Sequence, residues 1–358
     1  MTVIAEKPAT AEELSARLRQ AAESGLSVTP VGGGRASGMG GLLERCDIEL
    51  HTTRLDRVVE HSRADMVVSV EAGITLEALQ VELAKAGQFL PLDPFNSPGH
   101  TIGGLLANGW TGPLRQRYGT AREYLIGIRV ALPDGRLASA GGRVVKNVSG
   151  YDLMKLHIGA LGSLGVIVAA SFKVFPKPLH AVTVEIHADN AWAEAERALR
   201  LSHQPAALEL FSSGRLLAEF MGSRGAVERM VTELGWTRTD PGAWDEHGMA
   251  APVTWARIAA PRKRLRDVLQ QLPDGAQWWA SPGVGVAHWS IDFETEAVGS
   301  VRKAAEAAGG SLVLLAAPDD LKRQIGAWGT PPPTLDVMRR IKAAFDPGRV
   351  LNPGRYLV

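Results

Sequence analysis

The residues of this chain best suited to chemistry are glycines. Gly32-Gly-Gly-Arg-Ala-Ser-Gly38 follows the short apolar run Ser27-Val-Thr-Pro-Val31, and Thr101-Ile-Gly-Gly104 follows the turn-rich stretch Pro91 to Gly99. Glycine lets the backbone come close to a ligand and take left-handed conformations, so successive N–H groups can converge on an anion. Arg35 in the first loop can add a charge-assisted hydrogen bond to a phosphate. Taken alone, the first loop also suits a tight surface turn. The second cluster changes that reading: 20 of the 39 glycines fall in the two windows Gly32–Gly41 and Gly99–Gly165. Two clusters, each leaving a short strand, read as two halves of one extended anionic site. The spacing is not a dinucleotide fingerprint, because Ser37 stands where G-x-G-x-x-G needs its third glycine. No helix opens directly after the loop, and no acidic residue is expected to end a second strand about 20 residues on.

The elements that must position these loops are legible in outline. Thr10-Ala-Glu-Glu13 is a capping box opening a helix through Leu14 and Leu18, and Val67-Val-Ser-Val70 is a strand. A helix runs from Thr75 to a stop at Gly87. Tyr124–Leu132 and Arg136–Ser139 flank Pro-Asp-Gly and predict a hairpin. Tyr151 opens a helix with Leu153 and Leu156 inward, and Gly165–Phe175 is a long strand. Pro176-Lys-Pro178 is the best domain boundary. Beyond it an α+β pattern continues to about Leu315. Gly326–Pro333 is then a linker, and Leu335–Phe345 a last helix.

Bulk composition excludes other roles. With 39 basic and 38 acidic side chains in 358 residues, the net charge of +1 gives no support to nucleic-acid binding. The single Cys46 excludes an internal disulfide, a Cys-rich zinc site and a self-contained iron–sulfur cluster. The start of the chain has no signal-peptide pattern, and no uncharged apolar run reaches the roughly 18 residues of a membrane span, so a cytoplasmic protein is expected. Asn147-Val-Ser149 matches a glycosylation acceptor by coincidence in that setting. Arg262-Lys-Arg-Leu-Arg266 reads as the solvated face of a helix. Eight of the nine tryptophans lie beyond Pro178 and are expected to pack a core.

Together, Pro30-Val-Gly-Gly-Gly-Arg-Ala-Ser-Gly, Thr101-Ile-Gly-Gly, Tyr118-Gly-Thr, Leu161-Gly-Ser-Leu-Gly-Val-Ile167 and Phe345-Asp-Pro-Gly-Arg-Val-Leu-Asn-Pro-Gly354 resemble a known pattern. It is that of the FAD-binding domains of the vanillyl-alcohol oxidase/p-cresol methylhydroxylase (PCMH) family. The resemblance covers about residues 10–178 and 333–356. Lys146-Asn-Val-Ser-Gly-Tyr-Asp-Leu and Asn108-Gly-Trp-Thr-Gly-Pro-Leu-Arg are similar to its bacterial glycolate oxidase branch. The resemblance implies an α+β fold: a two-subdomain PCMH-type FAD domain over 1–178, a smaller α+β cap domain over 179–330, and a C-terminal segment, 331–358, that returns to the FAD domain.

It also implies roles. Gly32, Gly33, Gly34, Arg35, Ala36 and Ser37 would wrap the FAD pyrophosphate. Thr101, Gly103, Gly104, Asn108 and Tyr118 would line the pyrophosphate and isoalloxazine, with Gly162, Gly165 and Ile167 at the adenosine or ring edge. His100 is the nearby candidate for a covalent flavin link, and non-covalent FAD is expected. Relatives that oxidise 2-hydroxy acids carry a His-x-Gly-Asp-Gly-Asn-x-His motif for metal and substrate carboxylate. Here Ser281-Pro-Gly-Val-Gly-Val-Ala-His288 keeps only one His, so no metal site and no catalytic residue is assigned. The implied function is an FAD-binding subunit oxidising glycolate to glyoxylate, with a larger FAD subunit and an iron–sulfur subunit as partners and any membrane association through them. The alternatives are an FAD-holding relay or scaffold subunit and a stand-alone 2-hydroxy-acid dehydrogenase.

Overall fold

A computed structural model describes residues 3–95, 98–142, 152–244, 254–290 and 295–358. Lys146 to Tyr151, with the Asn147 sequon and the expected helix start at Tyr151, lies outside the described residues.

The first half of the chain builds two sheets. Strand Ile48–His51 lies between Ile4–Glu6 and Val28–Val31, and both pairings are parallel. Helix Ala11–Glu23 packs nearby; Thr10 Oγ1 accepts from Glu13 N–H, while the Glu13 carboxylate reaches back to Ala9 N–H. Its stripe Leu14, Leu18 and Ala21 is fully buried with Ile48 and Leu50. The second sheet is antiparallel, in the order Val58–Ser62, Val67–Glu71, Val166–Lys173, Leu125–Ala131 and Leu137–Gly141. Its last pair is the expected hairpin, turned at Gly135 with φ +80°.

The expected helix at Leu153 and Leu156 shrinks to one turn, Met154–His157. Leu153 is exposed, and His157 is the residue buried there, edge-on to Phe345. Gly159, with φ +77°, lets the chain turn away immediately, so no longer apolar stripe can form.

Residues from His180 to Ala316 supply one antiparallel eight-stranded sheet. Period-2 alternation divides its side chains. Leu208, Leu210, Leu216, Ala218, Phe220, Ala256, Ile258, Ala287 and Trp289 face helices and form two apolar cores. The alternate residues include Glu209, Glu219, Trp255, Arg257, Trp279 and His288. Of these, Trp255 joins Val313 and Leu315 in the core shared with the first half of the chain. The helices cover one face of this sheet, so the other is free to carry polar and aromatic groups toward the glycine loops. On the helix side, Arg262–Leu269 buries Leu265, Val268 and Leu269 and exposes its arginines.

The chain ends where it began. After helix Leu335–Phe345, Leu351 forms a parallel bridge to Val28; Val28 N–H donates to Val350 O at 2.7 Å and Asn352 N–H to Val28 O at 3.0 Å. A buried ion pair holds this return: Lys342 Nζ lies 2.6 Å from Asp346 Oδ2 and donates to the Ser163 and Leu351 carbonyls. Asp346 accepts in turn from Val350 and Leu351 N–H. Both side chains are almost inaccessible. Removing one partner strands the other charge, which costs about 3–5 kcal/mol. Asp346→Ala is therefore expected to lower unfolding free energy by that amount in guanidinium titration. A loss below about 1 kcal/mol would show that the segment is held by other contacts.

Candidate functional site

A cavity of about 300 Å³ opens between the loop after Val28–Val31 and helix Ile102–Asn108. Gly32 to Ser37 form one wall, and Thr101, Gly104 and Asn108 another. The walls approach so closely that side chains are excluded. A Cβ on Gly32 would overlap Thr101 Oγ1, and one on Gly33 would overlap the Gly99 carbonyl oxygen. Thr101 orders the second wall by accepting from Gly104 N–H at 3.2 Å, and Asn108 Oδ1 accepts from Trp110 N–H at 2.9 Å. Arg35 is exposed, its guanidinium running beside Gly99.

The other expected site residues stand elsewhere. Gly162 is at the rim, where a Cβ would lie 3.3 Å from Pro30 Cγ. Gly103 packs against Ala72, to whose carbonyl it donates at 2.7 Å. Tyr118 sits in an aromatic nest with Phe89 and Phe175, at centroid distances of 5.5 and 5.2 Å. Gly165 adjoins Ala131 and His157, and Ile167 is a core residue. These four serve packing and do not line the cavity.

The cavity also recruits residues that sequence reasoning passed over: Thr29, Glu49, Leu161, Asn352 and Arg355. Strand Ile48–His51 buries Ile48 and Leu50 and turns Glu49 to the cavity, so an acidic residue does follow the first loop on a second strand. Four residues were too short a pattern to announce it. Asn352 and Leu161 both take left-handed backbone conformations, with φ +45° and +52°, and the Asn352 amide donates to the Leu161 carbonyl at 2.6 Å. Such strain clusters at ligand sites. Among the described residues, two buried oxygens at this cavity, Thr29 Oγ1 and Asn352 Oδ1, have no hydrogen-bond partner. Buried polar atoms are rarely left so.

Residues 4–141 match the FAD binding domain, and residues 321–356 match the C-terminal domain of FAD linked oxidases. Over these segments the chain is similar to FAD linked oxidases. It is similar to glycolate oxidase subunit GlcE of Escherichia coli, 27% identical over 83% of this chain and 84% of that one. Glycolate oxidase subunit GlcD of Bacillus subtilis is 24% identical over 97% and 87%. The mitochondrial D-lactate dehydrogenase [cytochrome] of Arabidopsis thaliana is 35% identical, and there the match spans only 30% of the relative's length. A solved structure of alkyldihydroxyacetonephosphate synthase shares the fold at TM-score 0.72 and 17% identity, over 98% of this chain and 76% of its own. The chain is an oxidoreductase with FAD as its cofactor, and the cavity suits that group. It combines glycine backbone at Gly32 and Gly33 packed too closely for side chains, two buried oxygens with no partner among the described residues, and arginines at positions 35 and 355. Among the described residues, no helix is long and apolar enough to cross a membrane, and no cluster of three His, Cys, Asp or Glu could hold a metal.

Where the FAD-binding half of the chain meets the eight-stranded sheet, carboxyl groups are buried. Glu209 is inaccessible and bonded to Ser281 Oγ, and burial pushes its pKa up to about 8. Glu219 rises to about 7 by the same cause. Asp93 is driven well above the usual carboxylate range by burial, although it accepts from Leu114 N–H at 2.7 Å. A raised folded-state pKa means that the native protein keeps a proton which the unfolded chain releases near pH 4.5. The stabilisation is full below that pH and is lost as pH rises to about 8, at about 1.4 kcal/mol per unit for one such group. Glu209→Gln keeps an acceptor for Ser281 and removes the titration. Its unfolding free energy should decline less than wild type between pH 5 and 8.5. Parallel declines would refute the assignment.

Proposed function

We propose that this chain is the FAD-holding subunit of a complex of the glycolate oxidase type, which oxidises glycolate to glyoxylate with loss of two electrons and two protons. What carries the reading is the cavity in which Gly32 and Gly33 meet the second wall too closely for a Cβ, while among the described residues Thr29 Oγ1 and Asn352 Oδ1 are left without a partner. The relatives aligned over most of both chains are glycolate oxidase subunits, which favours glycolate over lactate as substrate.

In this reading Gly32 to Ser37 bring backbone N–H groups to the diphosphate, and Arg35 and Arg355 neutralise it. Thr101 and Gly104 shape the opposite wall. Thr29, Asn352 and Glu49 meet hydroxyl or ring polar atoms, and Leu161 gives an apolar surface. When bound, FAD supplies a two-electron acceptor for the carbon bearing the substrate hydroxyl. The cofactor is held without a covalent bond: the His100 ring is buried, with Nε2 3.3 Å from the Phe95 carbonyl and its face edge-on to Trp110. A chain with one cysteine cannot ligate an iron–sulfur cluster, so the electrons leave through partners, a larger FAD subunit and an iron–sulfur subunit.

Purified protein is expected to be yellow and to release about one equivalent of FAD on acid precipitation. Gly33→Val should bind FAD at least tenfold more weakly while keeping the wild-type circular dichroism spectrum, since its side chain enters the space between the walls. Colourless protein that cannot be reconstituted would sink the cofactor assignment. Anaerobic glycolate should bleach the flavin of the assembled complex. Bleaching of the isolated chain as well would place the substrate chemistry here, and a flavin left oxidised would make this chain the relay.

A further inference from the structure

The flank of the first glycine loop, Gly38 to Gly41, is fastened by two cations from distant parts of the chain. Arg355, which lines the cradle, donates through Nη1 to the Met39 and Gly41 carbonyls at 3.3 and 3.4 Å, and Gly41 N–H donates to the Arg355 carbonyl at 2.8 Å. The Gly38 carbonyl accepts from Lys322 Nζ. Lys322 stands on helix Asp319–Ile325, which follows the last strand of the eight-stranded sheet, Ser311–Ala316. That helix is tied to the sheet: Leu321 and Ile325 pack on its apolar core, and Arg302 donates to the Ile325 carbonyl and, at 2.9 Å, to that of Gly326. Among the described residues, none between 179 and 330 lines the cradle. Lys322 is thus the reach of the sheet-bearing half to the loop that forms one wall.

The charge of Lys322 is poorly compensated. The residue is 6% exposed, and among the described residues it has no ion-pair partner. Asp319, one turn before it, is exposed and already paired with Arg323 at 3.7 Å. Burial disfavours the ammonium form, the neighbouring Arg355 charge disfavours it further, and Asp319 opposes both. A buried cation held against one carbonyl is costly, and an apolar side chain would cover the same site at less cost. The compensating anion belongs on the other side of the loop, since Ser37 and Arg355 both line the cradle and Gly38 is the next residue.

We propose that Lys322 is a positioning residue for the cofactor: it holds the first glycine loop from the sheet-bearing half and, beside Arg355, supplies charge that a bound diphosphate balances. Cofactor binding and the seating of helix Asp319–Ile325 on the loop are therefore coupled, each favouring the other by the same factor. The inference rests on the FAD reading above and deepens it, by giving the half of the chain that forms no wall of the cradle a part in holding the cofactor.

Lys322→Met keeps the length of the side chain and removes its charge and donor, whereas Lys322→Arg keeps both. Full-length apoprotein of each form is titrated with FAD, followed by flavin fluorescence, and is melted with and without FAD. Lys322→Met is expected to bind FAD at least about tenfold more weakly than wild type, and Lys322→Arg to recover most of that loss. Without FAD, Lys322→Met should melt no lower than wild type, because a buried ammonium without an ion-pair partner is gone. At equal FAD concentration its melting temperature should rise less than that of wild type. A residue that merely packs the junction would lower both melting temperatures and leave the FAD-induced rise unchanged. Hydrogen exchange reads the same coupling from the other end: FAD should slow exchange at residues 319–326 in wild type and not in Lys322→Met. Wild-type affinity in Lys322→Met, equal affinities of the Met and Arg variants, or an unchanged FAD-induced rise would overturn the proposal. A wild-type chain that takes up no FAD would instead sink the cofactor reading on which this one rests.

Discussion

The structure depends on one close approach, that of the backbone at Gly32 and Gly33 to the backbone from Gly99 to Thr101. A Cβ on Gly32 would overlap the Thr101 hydroxyl and one on Gly33 the Gly99 carbonyl, so at these two positions the first wall must be bare backbone. Holding two such loops in register needs support on both sides. Parallel pairing to Ile48–His51 supports the first, and helix Ile102–Asn108, capped by Thr101 and packed through Gly103 on Ala72, supports the second. The last segment of the chain completes the frame. Asn352 and Leu161 hold unfavourable left-handed conformations there, and the Lys342–Asp346 pair with its ring of hydrogen bonds keeps that strained corner in place.

A second constraint follows from strand alternation. The eight-stranded sheet satisfies its hydrophobic requirement on the helix-covered face, so its opposite face need not be apolar. That face has Glu209, Arg257, Trp279 and His288 beside a shared core of Trp255, Val313 and Leu315. Burial raises the pKa of Glu209 along this junction, and among the described residues the Arg257 guanidinium has no hydrogen-bond or ion-pair partner. A sheet meant only to cover the FAD-binding half would be more stable with Leu or Val at these positions.

Much of the frame was open to reading from residue order. The Thr10 cap, the helix from Thr75, the hairpin around Asp134-Gly135 and the last helix from Leu335 to Phe345 all depend on neighbours a few positions away. Reading failed where neighbours in space decide. Leu153 had a helical partner in Leu156, yet the chain turned at Gly159 and put His157 inward. Gly103, Tyr118, Gly165 and Ile167 stand in or next to the same motifs as the cavity residues. A motif cannot say which of its glycines meets a ligand and which meets Ala72 or Ala131.

The sequence by itself marked the two glycine-rich loops as backbone able to approach closely, because glycine's freedom is a property of the residue. It also determined that no iron–sulfur cluster could be held internally, because one thiol is too few. Only the tertiary structure decided that Glu49, Asn352 and Arg355 join the cradle, and that Arg115 and Arg257, 142 positions apart, face a common space. Local conformation follows from short-range sterics and hydrogen bonds, whereas the charge environment of a side chain depends on which distant strand packs opposite it.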